Sequence, residues 1–154
     1  MPKIHEKKIM PFSAQEIFDL VIDIQNYPHF LPWCKNAQIT KHINDHNFHA
    51  ELLINFKNIF EKYTSDVNFK QISEHEYFVE AKAIKGPFKS LVNRWQIIEI
   101  DKRKTQVDFF LEFEFNSILL SKALGTIFSL ATEKMINSFE ARAFSLYKTH
   151  HNQQ

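Results

Sequence analysis

The side chains that could carry catalysis or hold a metal are present, but they are not spaced for it. His46 and His49 fall across a turn and the start of a strand, with no second pair of ligands to complete a tetrahedral donor set. Cys34 is the single cysteine, which excludes an internal disulfide, and no histidine is placed to activate it as a nucleophile. Gly86 and Gly125 are the only glycines, too few for a phosphate-cradling loop. A general acid or base must face the interior, yet Glu112 and Glu114 alternate with Leu111, Phe113 and Phe115 and point the other way. No catalytic residue, metal or cofactor is expected. What the chain has in excess is apolar ring surface, with 16 Phe against 2 Gly. Biased genome composition accounts for part of that excess; broad apolar walls are its functional reading.

The elements that position these rings follow from periodicity. Lys3 to Met10 reads as a strand ended by Pro11. Ser13-Ala14-Gln15-Glu16 is a capping box, and the helix after it buries Ile17, Leu20, Val21 and Ile24. Phe12 can staple onto it. Pro28 and Pro32 bracket a short helical segment, 26–31. From Lys35 the period becomes two, with Phe48, Ala50, Leu52, Ile54 and Phe56 on one face after an Asn44–Asn47 turn. Further strands run over 61–70, around Tyr77 to Ala83, over 91–100 and over 105–115, with Gly86-Pro87 as a break and Lys102-Arg103-Lys104 as a charged hairpin tip. Leu124, Ile127, Phe128, Ala131, Met135, Phe139, Ala143 and Leu146 then predict one long amphipathic helix. An antiparallel meander has one apolar face to cover, and that helix is the only large element left to cover it.

The totals set outer bounds. A chain of 154 residues, 44% hydrophobic and 24% charged, is one globular domain, taken as 1–149 with a disordered tail over 150–154. A formal charge of +1 demands no nucleic-acid partner, and DNA is not expected. The segment MPKIHEKKIM lacks an apolar core of signal-peptide length and no window could span a bilayer, so a cytoplasmic location is expected.

Three segments carry a family resemblance. Val21-x-Asp23-x-Gln25-x-Tyr27-Pro28-x-Phe30-Leu31-Pro32-x-Cys34 resembles the opening segment of the bacterial coenzyme Q-binding START-domain proteins. This group includes the ribosome-association toxin proteins and is also described as polyketide cyclase or lipid transport. Gly86-Pro87-Phe88-Lys89-x-Leu91, followed by Trp95, is similar to its central signature, and Leu111-Glu112-Phe113-Glu114-Phe115 to its last-strand signature. The resemblance runs in order from about residue 2 to residue 148. It implies an α+β helix-grip (START/Bet v 1-like) fold with an apolar cavity between sheet and C-terminal helix. It also implies non-enzymatic binding of ubiquinone or a similar prenyl lipid, as a carrier or chaperone supporting respiratory electron transport. For one branch it implies instead a regulator that interferes with association of ribosomal subunits through the large subunit. No residue separates the branches.

Under that fold the cavity walls are Phe48, Leu52, Tyr63, Trp95, Phe109, Leu111 and Phe113 from the sheet, facing Leu124, Phe128, Ala131 and Met135 from the helix. Tail burial at about 25 cal/mol per Å² supplies most of the affinity, and Tyr63 is the candidate donor to a quinone head. Tyr27, Pro28, Phe30, Leu31, Pro32 and Trp33 form one apolar cluster at the cavity mouth, and Gly86, Pro87 and Phe88 a second, suited to peripheral contact with the cytoplasmic face of the inner membrane. Lys82, Lys85, Lys89 and Arg94 form a basic surface for anionic headgroups, or for ribosomal RNA phosphates. A greasy hollow between the concave strands and the last helix is the premise of the carrier expectation.

Overall fold

The computed structural model describes residues 2–152, with side chains to 147. β1 (Lys3–Met10) is followed by α1 (Ala14–Ile22) and a 3-10 segment, Ile24–His29. Six strands come next: β2 (Cys34–Asn44), β3 (Asn47–Phe56), β4 (Ile59–Ser73), β5 (Glu76–Lys85), β6 (Phe88–Asp101) and β7 (Lys104–Phe115). The chain then runs through α2 (Ile118–Glu133) and α3 (Met135–Asn152). All pairings are antiparallel, in the order β1-β7-β6-β5-β4-β3-β2. Five strands joined by tight hairpins continue from β2, while β1 closes the opposite edge beside β7. Of the expected disordered tail over 150–154, residues 150–152 instead continue α3, and 153 and 154 lie outside the described residues.

Local chemistry explains the starts and stops. Ser13 Oγ accepts from the Glu16 amide at 3.1 Å, and Glu16 Oε1 accepts from the Ser13 amide at 3.0 Å, closing the capping box. The same carboxylate holds Arg103 Nη2 at 2.9 Å. The 102–104 tip is therefore tied to the start of α1 and is not a free charged loop, since Arg103 finds its acceptor there. Phe12 is fully buried against Phe144 and Tyr147 of α3. The 3-10 segment starts and ends two residues earlier than expected and contains Pro28, because a turn this short has few amide donors to satisfy. The β3–β4 hairpin turns on Lys57 and Asn58, both at positive φ, and β4 begins at Ile59.

The single long C-terminal helix is corrected to two. The α2–α3 boundary is Lys134, and Thr132 sits just before it. The Thr132 hydroxyl donates back to the Phe128 and Ser129 carbonyls at 2.9 and 3.1 Å, a bond that bends helices. Leu146, expected on the apolar stripe, is exposed.

Along β7 every second residue from Thr105 to Phe115 is buried, so one whole face of the last strand is core. Trp95 packs edge-on against Phe109 and Phe139, with centroids 4.8 and 4.7 Å away. Phe139 of α3 also takes Tyr27 and Phe30 edge-on. Aromatic side chains of this size each bury roughly 150–250 Å², and this cluster clamps α3 to the sheet.

Candidate functional site: a hollow floored by small residues

Between the concave face and the two C-terminal helices lies a hollow of about 50 Å³, lined by Ile24, Tyr27, Trp33, Leu52, Tyr63, Ser65, Ala81, Leu91, Asn93, Leu111, Phe128, Thr132 and Met135. Sheet register explains its position. Ser65 on β4 sits across from Ala50 on β3 and Ala83 on β5, with Ala81 one step along. Four short side chains at the centre of the concave face leave a gap that the rings to either side do not reach.

Five of the eleven expected wall residues line this hollow: Leu52, Tyr63, Leu111, Phe128 and Met135. The other six are corrected. Trp95, Phe109 and Phe113 are fully packed among rings, Trp95 on Phe139 and Phe113 on Phe128 at 4.5 Å. Phe48 lies towards Phe69 near the β2–β3 turn, Leu124 is wholly buried, and Ala131 lines an outer groove. Alternation shows which face a residue occupies, not which part of that face stays unfilled.

The hollow is small. About 50 Å³ admits roughly three or four waters, whereas sites for drug-sized ligands run from about 300 Å³. Phe128 accounts for much of the filling, because its ring meets Trp33, Phe56, Phe88, Phe113 and Phe115.

The two mouth clusters are largely turned inward, with Pro32 and Gly86 left exposed. Tyr27, Leu31 and Phe88 are buried, as is Pro87. The Tyr27 hydroxyl donates to the Val21 carbonyl at 2.5 Å. Gly86 and Pro87 are held by Asn116, whose Nδ2 donates to the Gly86 carbonyl at 3.0 Å and whose amide donates to the Pro87 carbonyl at 2.8 Å. Pro28 and Phe30 are half-buried beside them. Trp33, stacked on Phe56, lines both the hollow and the outer groove that also takes in Pro32, Ile127 and Leu130.

The basic surface is mostly neutralised. Arg94 and Lys82 share Glu80, at 2.8 and 3.7 Å, and Lys89 pairs with Glu114 at 4.0 Å. Lys85 alone of the four forms no ion pair among the described residues. Cross-strand partners that sequence periodicity does not reveal set this outcome.

Four polar residues line the hollow beside Tyr27. Asn93 is partly committed: one Nδ2 proton goes to the Phe110 carbonyl at 3.0 Å, and its Oδ1 accepts from Trp95 Nε1 at 2.9 Å. Thr132 is committed to its own helix. The Tyr63 and Ser65 hydroxyls have no protein hydrogen-bond partner among the described residues, although the residues are only 9% and 3% exposed. Burial, then the nearby Cys34 thiol, pushes the Tyr63 phenol well above its ordinary value, so it stays a neutral donor. Burial pushes the Cys34 thiol up to about 11. Among the described residues no acidic or basic side chain lines the hollow. Ser65, Asn93 and Thr132 were absent from the sequence expectation. The short residues Ser65, Ala81 and Ala83 within otherwise bulky strands were the available signal.

A curved antiparallel sheet closed over C-terminal helices around an internal hollow is the helix-grip, START-like arrangement. A START superfamily protein from Mycobacterium smegmatis has the same fold, with a TM-score of 0.74 at 17% identity, covering 94% of this chain and 98% of that one. Residues 10–140 match the family described as polyketide cyclase / dehydrase and lipid transport, and the chain belongs to that family. Among its relatives, ribosome association toxin RatA of Rickettsia prowazekii (strain Madrid E) is 40% identical over 148 residues, 96% of this chain and 100% of the relative. The mitochondrial coenzyme Q-binding protein COQ10 of Dictyostelium discoideum is 30% identical over 143 residues, 91% of this chain and 68% of the relative.

Proposed function

We propose that the chain binds ubiquinone or a similar prenyl lipid without catalysing its conversion, as a carrier or chaperone that supports respiratory electron transport. The observation that carries this reading is the internal hollow itself, apolar apart from a few hydroxyl and amide groups and, among the described residues, free of charged side chains. Kinship with the coenzyme Q-binding relative supports the choice of lipid. The hollow must widen to take such a molecule. The break at Lys134, next to the lining residues Thr132 and Met135, is where α2 can tilt and carry Phe128 away from the sheet. Trp33, between hollow and groove, marks the path for a prenyl tail leaving the interior.

Delivery would take place at the cytoplasmic face of the inner membrane. Among the described residues no helix is long and apolar enough to cross a membrane. Ile118 and Leu119 are 78% and 80% exposed at the start of α2, beside the Asn116-anchored Gly86–Pro87 turn and the unpaired Lys85. They offer the bilayer the apolar contact that the buried mouth residues do not. Mass spectrometry of the organic extract from natively purified protein tests the reading. A prenyl quinone in the extract is expected; an extract still empty after incubation with added quinone contradicts it.

A second reading, a regulator acting on the large ribosomal subunit, is favoured by the 40% identical relative that bears the name of a ribosome association toxin. It predicts salt-sensitive co-sedimentation with that subunit, lost on reversing Lys85 and Lys89. Co-sedimentation unaffected by the reversals counts against those residues as the contact.

A further inference from the structure

We infer that Tyr63 and Ser65 are the recognition pair of the hollow, and that they select an uncharged ligand carrying a hydrogen-bond acceptor such as a ring carbonyl. This rests on the lipid-binding reading above and narrows the class of molecule that fits it. The two residues stand two apart on β4, so their side chains leave the same face of the sheet. Both residues are more than nine-tenths buried, and neither hydroxyl has a protein partner among the described residues. The two hydroxyls are not sealed within the protein but open onto the hollow, where a ligand group can reach them. The neighbouring hydroxyls cannot serve, since Thr132 and Tyr27 already give their protons to the Phe128 and Val21 carbonyls; Asn93 accepts from Trp95 and gives one of its two Nδ2 protons to Phe110.

The geometry also limits the ligand. Ser65 lies at the floor of the hollow between Ala50 and Ala83, while the longer Tyr63 side chain reaches further from the sheet. The pair therefore meets one molecule at two depths. Among the described residues the lining holds no Lys, Arg or His, so a carboxylate or phosphate drawn inside would stay unpaired in an apolar setting, a strongly unfavourable state. Fatty acids and phospholipid headgroups are thus disfavoured, and neutral carbonyl compounds are preferred.

The test compares three ligands with one tail length, decyl-ubiquinone, decylbenzene and decanoate, by displacement of N-phenyl-1-naphthylamine from the wild type, Tyr63→Phe and Ser65→Ala. The wild type should bind decyl-ubiquinone more tightly than decylbenzene and show no competition by decanoate. Each variant should weaken decyl-ubiquinone by about three- to tenfold, as expected for one lost hydrogen bond. Decylbenzene should stay within about twofold, which controls for folding and cavity shape. Unchanged quinone affinity in both variants, or equal losses for quinone and hydrocarbon, overturns the pair while leaving lipid binding standing. A wild type that binds none of the three overturns the lipid reading and the pair together.

Discussion

The indole of Trp95 donates to Asn93 Oδ1 at 2.9 Å, two residues back along β6, and Asn93 in turn donates to the Phe110 carbonyl on β7. One amide thus satisfies a buried indole and ties two central strands beside the hollow. Asn93→Ala leaves the buried Trp95 N–H without its partner. The expected loss is about 1–3 kcal/mol, read from urea unfolding, the cost of one such group. A loss below about 1 kcal/mol would show that water replaces the amide.

The two glycines should respond in opposite directions. Gly86 has φ +126, and a Cβ there would fall 2.6 Å from Tyr63 Cβ and 2.7 Å from the Lys62 carbonyl oxygen. Gly86→Ala should cost about 2–5 kcal/mol through backbone strain and overlap. At Gly125 the nearest atom is Ser121 Oγ at 3.9 Å, inside α2. Gly125→Ala should stabilise by roughly 0.5–1 kcal/mol through helix propensity. Thermal unfolding of both variants reads the contrast.

Phe128 is both a packing hub and the main filler of the hollow. Phe128→Ala should destabilise by about 3–5 kcal/mol and enlarge the space beneath α2. Added decyl-ubiquinone should then raise its melting temperature more than that of the wild type, because ligand binds only the folded state. An equal or smaller shift would mean that Phe128 does not control access.

Alkaline pH should weaken the fold through Cys34. Burial raises its thiol from 9.0 to about 11, and burial likewise raises Tyr27 and Tyr63. The folded chain holds these protons where the unfolded chain releases them. The stability contributed by the neutral Cys34 thiol is complete below about pH 9 and is lost as pH rises to about 11. The urea midpoint should fall across that window and fall less steeply in Cys34→Ala. A slope that the substitution leaves unchanged would remove Cys34 from the account.

The fold was legible where one periodicity ran unbroken. β7 alternates strictly, β1 matches its predicted bounds, and the Ser13–Glu16 box is a local pattern. The Lys57-Asn58 turn was hidden because it uses no glycine, and the α2–α3 break because Thr132 keeps the apolar spacing while bending the helix. The site was legible only by face. Which side chains border the hollow depends on Ala50, Ser65 and Ala83 falling in register across three strands, and on Arg94 and Lys82 meeting Glu80. Neither relationship exists along a single segment.

Trp33 lines the hollow and Trp95 does not, so tryptophan emission tests directly whether the interior admits a quinone. Decyl-ubiquinone titrated in detergent-free buffer should quench the wild type saturably, near one ligand per chain, and Trp33→Phe should lose most of that saturable quenching. Quenching that rises linearly without saturation, and equally in both proteins, would show that the quinone stays outside and would contradict the carrier account.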